Sequence, residues 1–144
     1  MNTNLELIKE WVKALRSGEY TQGKRALRDT ENKFCCLGVL CDITKEKLNL
    51  EWGLWADEIA DELVEGEVYH IGKEKCGGVL PFEVSQYLGA ELDHRVVIKT
   101  DNSKIPEEVN NSLRFNYTYL TDLNDDYGLT FNEIADILEE EFLK

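Results

Sequence analysis

Proline is nearly missing from this 144-residue chain, which holds two, and histidine and methionine are as scarce at two and one. So few prolines, ten glycines and no low-complexity run exclude collagen-like, proline-rich and disordered classes. No apolar stretch approaches the roughly 20 residues that cross a bilayer as a helix, and the opening MNTNLELIKE has no hydrophobic signal region. A cytoplasmic protein that does not enter membranes is the expectation. Sequence repeats are missing too: EIAD occurs at 58–61 and again at 133–136, but four residues shared by two acidic amphipathic segments carry no repeat. The length suits one globular domain over 1–144, able to bury roughly 68–70% of its unfolded surface.

Metal and catalytic patterns are equally thin. Cys35, Cys36, Cys41 and Cys76 are spaced adjacently and then five apart, with His70 and His94 remote, whereas zinc sites use paired C-x2-C spacings. Neither a metal nor a cofactor is expected, and in a reducing compartment these thiols serve as small hydrophobes. Ser17, Cys36, His70, His94 and the many carboxylates form no spaced constellation that names a reaction, so the chain does not read as an enzyme.

Positive charge is the remaining scarcity. Sixteen Lys/Arg face 29 Asp/Glu, for a net charge of −13. Residues 1–34 carry seven cations against five anions, and residues 35–144 carry nine against twenty-four. Affinity for a nucleic-acid backbone grows with the number of phosphates neutralised, so general nucleic-acid binding is not expected. The acidic remainder serves solubility, or imitates a phosphate backbone toward a basic partner protein.

What is present is mostly helical. Thr3 with Glu6 reads as a capping box, and Leu5, Ile8, Trp11/Val12 and Leu15 then recur at helical spacing until Gly18, giving a helix over about 4–16. Residues 34–48 begin apolar on all sides and turn polar, which fits a buried central helix, although a buried strand at 34–40 fits the same pattern. Residues 55–65 form an amphipathic helix, Pro81 opens another over 82–88, and Pro106 seeds a further turn. Thr130 and Glu133 box the start of a last helix faced by Ile134, Ile137/Leu138 and Phe142. Residues 68–71 and 95–99 are the strand candidates. The fold class is α+β and helix-dominated: amphipathic terminal helices packed with a buried central helix and a small antiparallel sheet.

Three features bear on function. Lys24, Arg25 and Arg28 form the one short cationic window; arginine forks grip phosphate through paired hydrogen bonds, and a solvated loop balancing the acidic body explains the same residues. Trp52, Trp55, Tyr69, Phe82 and Tyr87 offer rings that stack on a nucleobase or pack a core. Residues 122–133 approach a calcium loop, with Asp122, Asn124, Asp126 and Glu133 at ligand places, but Tyr127 stands where the turn needs glycine, and Asx turns explain the segment more simply.

ALRSGEYTQG (14–23), FCCLGVLCDI (34–43), LPFEV (80–84) and LTDLNDDYGLTFNEIADILE (120–139) resemble a family of small proteins encoded by tailed bacteriophages and prophages. The segments around 55–76 and 91–116 match less well, so a binding surface there would be peculiar to this chain. The resemblance implies an accessory protein working inside the infected bacterium, and no reaction. Two roles follow. In one, the protein encloses a nucleotide immune signal, by analogy with Thoeris anti-defence sponges, with Lys24, Arg25 and Arg28 on phosphate and Trp52, Trp55 or Phe82 on the base. In the other it blocks a host defence or regulatory protein through acidic helical faces, using Glu58, Asp61, Glu62, Glu65 and the 139–141 glutamates. A homo-oligomer sharing a pocket across a two-fold would suit the apolar 34–43 segment, as would a buried core helix.

Overall fold

The computed structural model of the protein describes residues 3–54 and 69–144. The expected helix at 55–65, with Trp55, Glu58, Asp61, Glu62 and Glu65, lies outside the described residues, as does Val68 of the expected strand at 68–71. Six α-helices and six very short strands lie among the described residues, an α+β fold dominated by helix.

Helix α1 (Leu5–Arg16) buries Leu7, Ile8, Trp11, Val12 and Leu15, a stripe at the spacing that keeps one helical face toward a core. Its cap is Asn4 rather than Thr3. The Asn4 side chain accepts from the Leu7 N–H at 3.1 Å, while its own N–H and amide donate to Leu88 and Tyr87 carbonyls at 2.7 and 3.2 Å. Thr3 donates instead to Glu91 at 2.7 Å. The tie to the end of α3 (Phe82–Leu88) therefore sets where α1 begins. That helix opens after Pro81 and stops at Gly89, whose φ of 141° few other residues adopt.

Helix α2 (Cys36–Thr44) is the buried centre, with Cys36, Leu37, Val39, Leu40 and Cys41 all sealed from solvent. Strand and helix readings of this region are both realised in part, because Phe34 belongs to β2 (Lys33–Phe34) and the helix starts two residues later. Trp11 is likewise fully buried, and its indole N–H donates to the Cys36 carbonyl at 2.9 Å. Gly38 sits where α2 meets the 26–28 segment. A methyl there would land on the Leu27 carbonyl, 2.6 Å from its carbon and 3.0 Å from its Cα. Because α2 is core within one chain, the 34–43 segment supplies no surface for a shared pocket.

Helix α6 (Phe131–Phe142) lies along α1 and buries Phe131, Ile134, Ala135, Ile137 and Leu138. Its capping box forms, with Thr130 and Glu133 exchanging bonds of 3.2 and 3.0 Å. The strands make three separate pairs. β1 (Thr21–Gln22) runs parallel to β2, β3 (Gly53–Leu54) pairs antiparallel with β4 (Tyr69–His70), and β5 (Val97–Lys99) pairs antiparallel with β6 (Tyr117–Tyr119). A turn of helix, α4 (Glu107–Asn110), separates β5 from β6, and β6 passes straight into α5 (Leu120–Asp125).

The strings behind the phage-family resemblance meet one another in this core. Gln22 donates to the Asn124 side chain at 2.8 Å and to the Leu129 carbonyl at 2.7 Å, and the Asn124 amide donates to the Gly23 carbonyl at 3.0 Å. Asn124 is wholly buried. Of the residues that imitate a calcium loop, Asn124 thus faces inward and locks TQG against LNDD.

Candidate functional site

The cationic window does not assemble as one cluster. Arg28 turns toward the β3–β4 pair, where its guanidinium carbon lies 4.0 Å above the Tyr69 ring and 5.7 Å from the rings of Phe34 and Trp52. Its Nε and Nη2 donate to the Asn32 side-chain Oδ1 at 3.0 and 2.7 Å. Trp52 is fixed from its other end, since its indole N–H donates to Asp42 at 2.9 Å. Asp42 also accepts from Tyr20 and Lys45, both at 2.7 Å. Burial alone would raise this carboxyl, but the hydrogen bonds from Lys45, Tyr20 and Trp52 outweigh it and hold Asp42 below the usual range. Arg28 and Trp52 are therefore brought together, as parts of an aromatic box that the arginine itself fills.

Lys24 and Arg25 point elsewhere. The Arg25 N–H donates to Asp125 at 2.8 Å and its guanidinium stands 3.7 Å from Asp126, while the Lys24 ammonium lies close to Gly128. Phe82 begins α3 and is 53% exposed, with no stacked ring beside it among the described residues. The acidic face at 139–141 is engaged internally: Glu139 pairs with Arg16, Glu140 with Lys144 at 2.8 Å, and Glu141 accepts from Asn102 at 3.2 Å.

A different surface gathers what a ligand needs. Phe115, Tyr117 and Tyr119 alternate along β6 and its approach, so their rings fall on one face while Thr118 points into the core. Phe115 and Tyr117 lie 6.4 Å apart and tilted by 30°, and Tyr117 meets Tyr119 edge-on at 5.8 Å. Phe115 is 74% exposed and Tyr117 48%. Beside them a groove of about 340 Å³ is closed by Arg114, Asp122 and Tyr127. Arg114 pairs with no carboxylate among the described residues. Arg95 stands 3.8 Å over the Tyr119 ring. Burial and then Asp126 push the Asp122 carboxyl above its ordinary range, Arg95 opposes them, and Asp125 adds to the rise.

The backbone leading into β5, the partner of β6, is strained. Val96, β-branched and fully buried, holds a φ of 62° between Arg95 and β5, a conformation that costs on the order of 1–3 kcal/mol and concentrates at functional sites. Arg95, Arg114, Phe115, Tyr117 and Tyr119 did not figure among the sequence candidates, and Asp122 did so only as a calcium ligand. The alternation Phe115-x-Tyr117-x-Tyr119 behind Arg114 was the available signal.

The thiols offer no reactive centre. Burial pushes Cys35 up to about 12 and raises Cys36 and Cys41 as well, so they stay protonated at physiological pH. No helix among the described residues is long and apolar enough to cross a membrane.

Fold and groove together define a helix-dominated α+β protein bearing an exposed aromatic ladder edged by arginine. The chain belongs to the family described as a domain of unknown function (DUF8296), whose model matches residues 1–142. Neither a curated protein nor a solved structure matches it.

Proposed function

We propose that this chain is a phage-type accessory protein that binds and sequesters a nucleotide signal, without chemical change, in the groove beside β6. The observation that carries the reading is the ladder of Phe115, Tyr117 and Tyr119, whose first two rings stand open to solvent next to Arg114. Rings stack on bases with about 1–3 kcal/mol per base, and an arginine fork takes phosphate in paired hydrogen bonds. A groove of about 340 Å³ falls in the range of small-ligand sites. Sequestration requires only such contacts and no catalytic group. The phage-family resemblance supplies the setting, an infected bacterial cell. The groove draws Arg114 and Phe115 from the 91–116 stretch where that resemblance is weakest, and Asp122 and Tyr127 from the 120–139 string that carries it. The role of acidic inhibitor of a host protein gains nothing from the 139–141 glutamates, because each already has a partner in the fold.

Thermal unfolding of the purified chain against cyclic dinucleotides, cyclic trinucleotides and cyclised ADP-ribose isomers tests this. Ligand at about one hundred times its dissociation constant adds roughly 2.7 kcal/mol, or a rise of roughly 5–10 °C for a chain of this size. Tyr117→Ala should abolish the rise. No rise with any nucleotide refutes the proposal.

A further inference from the structure

Asp122 is the feature of the groove that stacking and phosphate binding leave unused. It sits in the first turn of α5, three residues beyond Tyr119, and lines the same groove as Phe115, Tyr117 and Arg114. No side chain among the described residues donates to it. A carboxylate without a donor, half withdrawn from water, is an acceptor waiting for one.

We infer that the base taken by this groove is guanine, with Asp122 accepting from its Watson–Crick edge. The inference rests on the nucleotide reading of the same groove. An ionised carboxylate only accepts, and its two oxygens suit a pair of adjacent donors. Guanine alone among the common bases presents two, the ring N1–H and the exocyclic amine. Adenine and cytosine each set one amine beside a ring nitrogen that accepts, which would face the carboxylate lone pair to lone pair. Uracil places its single N–H between two carbonyls. The rings of Phe115 and Tyr117 accept any base, so discrimination falls to Asp122, a carboxylate that lines the groove. The direction of the Asp122 proton equilibrium agrees, because a carboxylate that burial and Asp126 disfavour gains most from incoming donors.

Arg95 fits the same scheme from outside the groove. It lies over Tyr119 and near enough to Asp122 to lower its carboxyl, yet it makes no ion pair with it. It thus opposes the rise of the carboxyl and leaves its oxygens open.

The experiment is calorimetric titration of the full chain with GMP, IMP, AMP and CMP, followed by cyclic di-GMP against cyclic di-AMP. GMP is expected to bind about tenfold or more tightly than AMP or CMP, with IMP, which keeps N1–H but lacks the amine, between them. Asp122→Asn, close in size, is expected to erase the preference for GMP over AMP while Tyr117→Ala weakens every nucleotide. AMP binding as tightly as GMP, or an unchanged preference in Asp122→Asn, overturns the assignment of guanine and leaves nucleotide binding standing. Failure of every nucleotide to bind overturns both. The comparison among bases on the unsubstituted chain decides the matter even if the variant does not fold.

Discussion

Replacing Gly38 with alanine puts one methyl group into the tightest backbone contact described for this fold. Two effects oppose each other. Alanine gains about 1 kcal/mol over glycine inside a helix, and Gly38 has ordinary helical backbone, so conformation gives no reason to prefer glycine there. Against that, the new carbon would land on the Leu27 carbonyl and lie only 2.6 Å from its carbon. Neither side yields easily. Helix α2 is sealed in the core, and the 26–28 segment is held by the Leu27 N–H to the Gly77 carbonyl at 2.7 Å and the Cys35 N–H to the Ala26 carbonyl at 3.2 Å. Overpacking a core costs typically 1–3 kcal/mol and more where backbone must move, so about 3–5 kcal/mol is expected for a clash with a carbonyl. The clash wins, and Gly38→Ala should lose about 2–4 kcal/mol net. Urea unfolding followed by tryptophan emission measures it, with Trp11 and Trp52 reporting on the two sides of α2. A variant as stable as the parent would refute the claim that the glycine of FCCLGVLCD exists to admit Leu27.

Three further outcomes are expected. Asn124→Ala removes the acceptor of one Gln22 bond and the donor to the Gly23 carbonyl and should cost about 2–3 kcal/mol in chemical unfolding. Arg28→Ala empties the box of Phe34, Trp52 and Tyr69 and should cost about 1–2 kcal/mol while leaving nucleotide titrations unchanged, which separates the box from the groove. Asp42, held low when folded, contributes stability that is complete above the ordinary carboxylate pKa of about 3.9 and is lost as pH falls through its folded value; the deficit of Asp42→Asn at pH 7 should therefore shrink below about pH 4 in a pH series of urea melts.

Much of the helical frame was readable from spacing alone. The stripe from Ile8 to Leu15, the start at Pro81 with its stop at Gly89, and the Thr130–Glu133 box are local signals, and the helices follow them. Thr3 misled by one residue because the competing Asn4 is fixed by Tyr87 and Leu88, far away in sequence. The strands were harder, since two or three residues are too few for alternation to stand out. The buried apolar run at 34–43 likewise gave no period to tell strand from helix, and it is helix from Cys36 onward with Phe34 alone in a strand.

The candidate site was read only in fragments. Arg28 and Trp52 do meet, but through the pairing of β3 with β4 and the return of the chain at Phe34, contacts that no neighbouring residue announces. Lys24 and Arg25 were read with Arg28 because they adjoin it, whereas Arg25 is drawn off by Asp125 and Asp126, a hundred residues on. The rings at 115, 117 and 119 form a visible alternation, yet their worth as a site depends on Arg95 and Asp122 arriving from separate elements.

The direct passage of β6 into α5 has a bearing on how such a groove can change. Tyr119 ends the strand in extended conformation and Leu120 is already helical, so nothing lies between them to absorb an extra residue. Inserting or deleting one residue there would swing α5 by about 100° and carry Asp122 toward the place now held by buried Thr121 or Leu123. The junction admits new side chains and refuses new length. Descendants of this chain would therefore alter their ligand by exchanging residues at 115, 117, 119 and 122, and would place their insertions and deletions before Arg114, in the turn that follows α4.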